Sequence, residues 1–331
     1  MLAKLESIAV RAFVRGGVLP WLLGIAMAYF SLAADSFLTG ENMFNIARQS
    51  VYLVLVSMAH MIVILTAGLD LSIGVIIAMT SIVSSMVMVQ AWSGEGTGVG
   101  AILAGCAAGL GAGTAIGAIN GIGIAVFRVP PFMMTFAMSW IVFGIILIMT
   151  AGLPVYGLPD SFADVLGYGT LGGVPVPAWI TVGFVVLMYF LIDRTRMGRY
   201  LYAIGGNYRT AKVSGVATRF YLFLAYVATA ALTSVAALML TARFGGGESV
   251  TGTHYPFLSL VACLISGVSF FGGVGRVQNV VMGAMFIMIV ENGLAKLGLT
   301  SYVYTIVISA LLIFAVIANN YRHQLLLTVR N

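Results

Sequence analysis

The sequence predicts an all-α polytopic membrane protein of about ten transmembrane helices, and three observations carry that prediction. Hydrophobic residues make up 61% of the 331 residues and charged residues only 8%, where soluble domains run near a quarter charged. The mean hydropathy is +1.07, and the apolar runs are continuous, not alternating as a transmembrane β-barrel requires. Basic residues gather in every second connection between those runs, as the positive-inside rule describes for cytoplasmic loops.

The N-terminal residues Lys4, Arg11 and Arg15 precede the first apolar run, Val18 to about Phe37, and place the N-terminus inside. Ser31 to Ala34 (SLAA) loosely mimics a signal-peptidase site, but the run is long for the apolar core of a cleaved signal. Ser36 to Gln49 read as an external connection and Ser50 to Thr66 as the second span. A short break, AGLDLS, contains Asp70 and leads into the third span, Leu71 to Gln90. Trp92 to Gly98 (WSGEGTG) holds no Lys or Arg and reads as an external turn.

The fourth span, Val99 to Phe127, carries Gly105, Gly109, Gly113, Gly117 and Gly121 at every fourth position. A step of four advances about 40° around a helix, so the stripe winds and admits close crossings with more than one neighbour, or forms a groove for solute. Arg128 ends that span, and Val129 to Pro131 open the fifth, which runs to about Thr150. Ala151 to Val176, with Asp160, Asp164 and no basic residue, read as a long external loop able to touch a partner. The sixth span is Pro177 to Ile192.

Asp193 to Arg219 form the longest polar interruption, a cytoplasmic loop with Arg194, Arg196, Arg199, Arg209, Lys212 and Arg219 against the single acid Asp193. Inside it Asn207 stands as a helix N-cap, YRTAKVS makes about two turns, and Gly215 is placed to end them. A short helix at the cytoplasmic membrane surface follows; the alternative is a basic loop that only sets topology. Phe220 to Ala242 make the seventh span, and Gly245 to Gly252 (GGGESVTG) an external connection. The eighth span begins near Tyr255 and ends at SFFGGVGR (Ser269 to Arg276), where Gly272, Gly273 and Gly275 break the helix. Val277 to Leu294 are the ninth span and Tyr302 to Ala318 the tenth, which returns inside with Arg322, His323 and Arg330.

This arrangement puts thirteen Lys and Arg residues inside and only Arg48, Arg243 and Lys296 outside, so both termini are expected in the cytoplasm. Spans two to five then enter from outside and seven to ten from inside, the geometry of an inverted repeat, although the halves share no evident residue similarity.

Several chemistries are excluded. Cys106 and Cys263 both lie in apolar spans, so no disulfide framework or metal site is indicated. No phosphate-binding loop occurs, since GGNYRTAK has Ala211 where the second glycine belongs. His60, His254 and His323 have no ligand spacing, and no Gly-x-Ser-x-Gly elbow exists. No catalytic function, cofactor or nucleic-acid partner is expected of this chain. Asp70 and Glu291 interrupt apolar runs and are functional candidates because burying a charge is costly. Asp70 either serves function or caps the third helix, and Glu291 either bonds between helices or lines a vestibule.

Four blocks now carry a resemblance: LTAGLDLSIGVIIAMTS (Leu65 to Ser81), RVPPFMMTFAMSWIVFGI (Arg128 to Ile145), RTRMGRYLYAIGGNYRTAKVSGV (Arg194 to Val216) and SGVSFFGGVG (Ser266 to Gly275). In this order they resemble the permease subunits of ATP-binding-cassette importers for simple sugars of the ribose, xylose and methyl-galactoside type, over nearly the whole chain. The resemblance implies a single permease domain in the bacterial inner membrane. Its implied partners are a second permease copy or homologue, a cytoplasmic subunit with tandem ATPase domains and a periplasmic substrate-binding protein. It also implies that Gly205, Gly206, Asn207, Ala211, Lys212 and Gly215 present a coupling helix to the ATPase. One departure is clear: many members read Glu-Leu-Asp-Ala-Ile-Ala where this chain has Pro256 to Val261, so both acids are missing.

The expected cargo is a small neutral solute, a monosaccharide or polyol. Such a solute needs hydroxyl and amide partners with some aromatic surface, which makes Asn120, Phe132, Thr135, Ser139, Trp140 and Asn292 candidate pathway residues or ordinary packing. Other cargoes (a nucleoside, a signalling furanone, an amino acid) and a standalone carrier or channel are the competing readings.

Overall fold

The computed structural model describes residues 19–328, with side chains to residue 317. Lys4, Arg11, Arg15 and Arg330 lie outside the described residues, as do the side chains of Arg322 and His323. The main helices are α1 (Leu19–Ala33), α2 (Gly40–Leu65), α3 (Ile73–Ala91), α4 (Val99–Ala125), α5 (Pro131–Thr150) and α6 (Val176–Tyr189). They continue with α7 (Arg196–Gly206), α8 (Tyr208–Val213), α9 (Thr218–Phe244), α10 (Tyr255–Ile265), α11 (Val277–Lys296) and α12 (Ser301–Thr328). Between α5 and α6 lie a helical turn, Asp160–Phe162, and an antiparallel hairpin of β1 (Thr170–Leu171) and β2 (Val174–Pro175).

Seven of these helices are long and apolar enough to cross a membrane: α2, α3, α4, α5, α6 with its extension to Arg194, α9 and α11. The helices α1 and α10 and the segment Ser301–Ile317 of α12 are shorter and apolar. The molecule is an all-α polytopic membrane protein. Its axis is α2, in which every residue from Ser50 to Thr66 is buried. A helix apolar on all sides is stable only when neighbours surround it, and α6, α9, α10 and α11 do so.

On α4 the glycine stripe divides between two neighbours. Gly105 and Gly109 face Ser84, Met88 and Thr80 of α3, whereas Gly117 and Gly121 face Tyr226, Ala230 and Phe223 of α9. A β-carbon at Gly109 would stand 2.8 Å from the Thr80 carbonyl oxygen, so close helix crossings fill the stripe instead of an open groove.

Three boundaries differ from expectation. The helix α2 starts at Gly40, not Ser50, because Thr39 accepts a hydrogen bond from the Asn42 amide at 3.3 Å and Glu41 occupies the first turn. The polar stretch read as a connection is thus the first part of the helix. The Asp193–Arg219 segment contains two helices, with α7 preceding the expected one. The eighth apolar segment forms a helix of only 11 residues, α10, about 16 Å long.

Candidate functional site

Both α3 and α10 are preceded by unwound chain. After α2 the backbone turns through Ala67, whose φ is +60°, and Gly68, where a β-carbon would lie 2.6 Å from the Tyr226 hydroxyl. The chain then runs without regular structure through Asp70 and turns at Leu71 and Ser72 into α3. Asp70 is fully buried, and its Oδ1 accepts from the Ser72 amide at 2.9 Å and from the Ser72 hydroxyl. Asp70 thus holds Ser72, the N-cap position of α3, and does not itself cap a first-turn amide, in a setting where a free carboxylate would be costly.

Three of the expected pathway residues gather at this break. Asn120 Nδ2 donates to Ser72 Oγ at 2.8 Å. Thr135 Oγ1 accepts from the Leu71 amide at 3.2 Å, and Ser139 Oγ donates to the Leu71 carbonyl at 3.0 Å. Thr135 and Ser139 satisfy backbone groups that an unwound segment inside a membrane protein must pair, and Asn120 fixes the Ser72 side chain. Asp70 Oδ2 and Asn120 Oδ1 remain buried without a hydrogen-bond partner. The other three candidates lie elsewhere. Phe132 and Trp140 point outward on α5, 53% and 65% exposed, in a ladder with Phe136 and Phe143. Asn292 pairs amide to amide with Asn42 at 2.8 and 3.1 Å, joining α11 to the start of α2.

The second break follows α9. Gly247 exchanges two backbone hydrogen bonds with Val155, at 2.8 and 2.9 Å. From there the chain descends beside α3, with Gly247 against Ser81 and Ser85 and Gly252 against Gly74. Pro256, in the first turn of α10, also packs on Gly74. Proline in the first turn suits a helix start that lies inside the bundle.

Beside this second break is a chamber of about 580 Å³ whose polar lining includes Tyr52, Arg243, Thr251, His254, Glu291 and Tyr304. The Tyr52 hydroxyl, Arg243 Nη1 and Thr251 Oγ1 are buried there without partners. Glu291 lines the chamber, while the neighbouring Asn292 makes the interhelical bond. Ser301, Thr305 and Ser309 of α12 add a row of hydroxyls. Sequence reasoning missed most of this set, because Tyr52, Arg243, His254 and Tyr304 carry no motif and meet only through helix packing.

The remaining predicted residues form a third region. Gly273 donates its amide to the Leu65 carbonyl at 2.9 Å, and the Tyr202 hydroxyl donates to the Gly275 carbonyl at 2.8 Å. Gly205 and Gly206, at the end of α7, lie against the backbone of Leu65, Gly272 and Gly273. The phenol of Tyr202 is pushed up to about 12 by burial first and by the Asp193 carboxylate second, which keeps it a donor. Beyond the glycines, Asn207 Oδ1 accepts from the Thr210 amide at 3.0 Å and caps α8. Only Ala211 of α8 is buried; Tyr208, Arg209, Lys212 and Val213 face outward. Gly215, at φ +85°, follows its end.

A family profile described as "Branched-chain amino acid transport system / permease component" matches residues 42–316. The chain belongs to this permease family. Among curated relatives, the D-allose transport system permease protein AlsC of Escherichia coli K12 is 34% identical over 89% of each chain. The ribose import permease protein RbsC of the same strain is 33% identical over 89% of this chain and 91% of its own. The L-arabinose ABC transporter permease protein AraH of Azospirillum brasilense is 28% identical over 95% and 92%. No solved structure matches the chain. The protein is thus a multi-pass inner-membrane permease, the non-catalytic transmembrane subunit of an ATP-binding-cassette importer. In this permease the chamber borders one break, Asp70 lies on the other, and the Gly74–Gly252 contact joins them.

Proposed function

We propose that the permease carries a small neutral polyhydroxylated solute, a monosaccharide or polyol, into the cytoplasm by alternating access. The chamber beside the second break carries this reading. Its volume falls within the range of small-molecule sites. Its aromatic walls come from Tyr52, Tyr255 and Tyr304, and Glu291 offsets Arg243, so hydroxyl groups are a better match than a net charge. Unpartnered donors and acceptors already buried in such a site favour a ligand that satisfies them. The curated relatives, named for allose, ribose and arabinose, support the same class.

In this reading ten apolar segments cross the membrane with both termini cytoplasmic. The halves α2–α5 and α9–α12 form an inverted repeat, supported by the matching order of long helix, unwound segment and helix in α2–α3 and α9–α10. A second permease copy or homologue completes the pathway, and a periplasmic binding protein delivers the solute. A cytoplasmic subunit with tandem ATPase domains engages the coupling helix α8. Direction comes from ATP hydrolysis, which changes the relative stability of inward and outward states.

A second reading, an amino-acid cargo, is favoured by the family's description as a branched-chain amino acid permease component. Reconstitution with the ATPase and binding-protein partners, followed by uptake assays with monosaccharides, polyols and branched-chain amino acids, separates the two. ATP-dependent uptake of the polyhydroxylated solutes is expected. Uptake of the amino acids alone would overturn the sugar reading, and uptake without the ATPase would overturn the importer mechanism.

A further inference from the structure

We propose that the cavity framed by α6, α7 and the start of α11 binds the phosphate headgroup of an anionic glycerophospholipid. The cavity, about 690 Å³, is lined by Arg194, Arg199, Arg276, Gln278 and Asn279 with Asp193 as its one acid. Three guanidiniums against one carboxylate leave it positive. Asp193 acts on its chain neighbour Arg194, and no second acid lines the cavity to balance Arg199 and Arg276. Arg194 donates to the Tyr189 hydroxyl at 3.1 Å and lies over the same ring, which orients it. The Tyr202–Gly275 hydrogen bond fastens α7 to the segment before α11 and holds Arg199 and Arg276 in opposite walls. Guanidiniums pair bidentately with phosphate oxygens, and Gln278 and Asn279 add neutral partners suited to glycerol or ester groups.

The surroundings point to a lipid as the source of that phosphate. The membrane-crossing segment Val176–Arg194 ends at the cavity. Along it Val182, Val186 and Phe190 recur every fourth residue and are 54%, 61% and 58% exposed. That spacing makes one stripe on the helix surface, and the stripe leads to the end where Arg194 stands. An acyl chain lying on the stripe would bring its headgroup to the guanidiniums, the arrangement expected where basic pockets between membrane helices meet acidic lipids.

The test uses the purified full-length permease in detergent, with dioleoyl phosphatidylglycerol, dioleoyl phosphatidylcholine or inorganic phosphate added, read by native mass spectrometry and thermal melting. Phosphatidylglycerol is expected to bind and raise the melting temperature well beyond phosphatidylcholine, and inorganic phosphate to leave it unchanged. Arg199→Gln combined with Arg276→Gln is expected to weaken phosphatidylglycerol binding roughly 30-fold. Arg199→Lys with Arg276→Lys, which keeps the charge, should retain most of the preference and separates headgroup recognition from damage to folding. Equal binding of the two lipids, protection by inorganic phosphate alone, or an undiminished preference in the glutamine variant would each overturn the proposal. Intact lipid binding with lost ATPase assembly in that variant would assign the guanidiniums to a protein partner, and would overturn it too.

Discussion

A β-carbon on Gly74 would stand 2.8 Å from the carbonyl oxygen of Gly252, so the first turn of α3 and the unwound approach to α10 touch backbone to backbone. Two chain breaks that meet inside a membrane bundle concentrate polar backbone where neighbouring side chains or solute must satisfy it. In the proposed alternating access, relative movement of the halves passes through this contact.

Gly74→Ala is therefore expected to push the two segments apart. Overpacking of a tight core costs about 1–3 kcal/mol, and the nearest atom here is backbone, which yields less readily than a flexible side chain. Thermal melting should show the loss, and uptake should fall further than melting alone explains. Ala at Gly111 of α4, which has open space around it, is the matched control. Equal behaviour of the two variants would remove the contact from the mechanism.

Asp70 gives a sharper pair of variants. Asp70→Ala strands the Ser72 amide and hydroxyl in a buried site, at about 1–3 kcal/mol for a lost partner. Asp70→Asn keeps the accepting oxygen and places an amide nitrogen where Oδ2 has no partner. The asparagine variant should melt closer to wild type than the alanine variant. The reverse order would mean that the charge itself, not the hydrogen bonds to Ser72, matters at this position.

Much of this architecture is legible in the sequence for a physical reason: apolar runs long enough to span a bilayer leave few alternatives. The Asn207 cap and the Gly215 stop were legible too, because capping is local chemistry. The start of α2 was not, since Glu41 to Gln49 lie on a helix that is polar on one side and carries no continuous apolar run. The chamber was out of reach for another reason. Tyr52, Arg243, Glu291 and Tyr304 come from four different helices, and only tertiary packing brings them to one cavity. The pairing of the two breaks was hidden likewise, because AGLDLS and GGGESVTG share a position in the fold without sharing a pattern.

For the chamber, Tyr52→Phe and Thr251→Val each remove one unpartnered hydroxyl while nearly preserving shape. If a solute hydroxyl pairs with it, each variant should weaken transport by about 0.5–1.5 kcal/mol, the net worth of a neutral hydrogen bond. The loss should register in the concentration dependence of uptake while melting stays unchanged or rises, since each variant relieves a buried unsatisfied group. Unchanged uptake kinetics in both would exclude the chamber from the solute path.

The outward face of α8 yields the last prediction. Lys212 and Val213 are exposed, and only Ala211 anchors the helix to the protein. Gly215 ends it at φ +85°, where any residue with a β-carbon pays about 1–2 kcal/mol to adopt the left-handed region. Lys212→Ala with Gly215→Ala should therefore alter both the surface of this helix and its exit angle without touching the spans. Membrane insertion of the isolated permease should stay at wild type, and its melting should fall by no more than that strain. Solute-stimulated ATPase activity of the reconstituted complex should drop severalfold if α8 is the proposed coupling helix. Wild-type stimulation in the double variant would reduce the Asp193–Arg219 segment to a marker of topology.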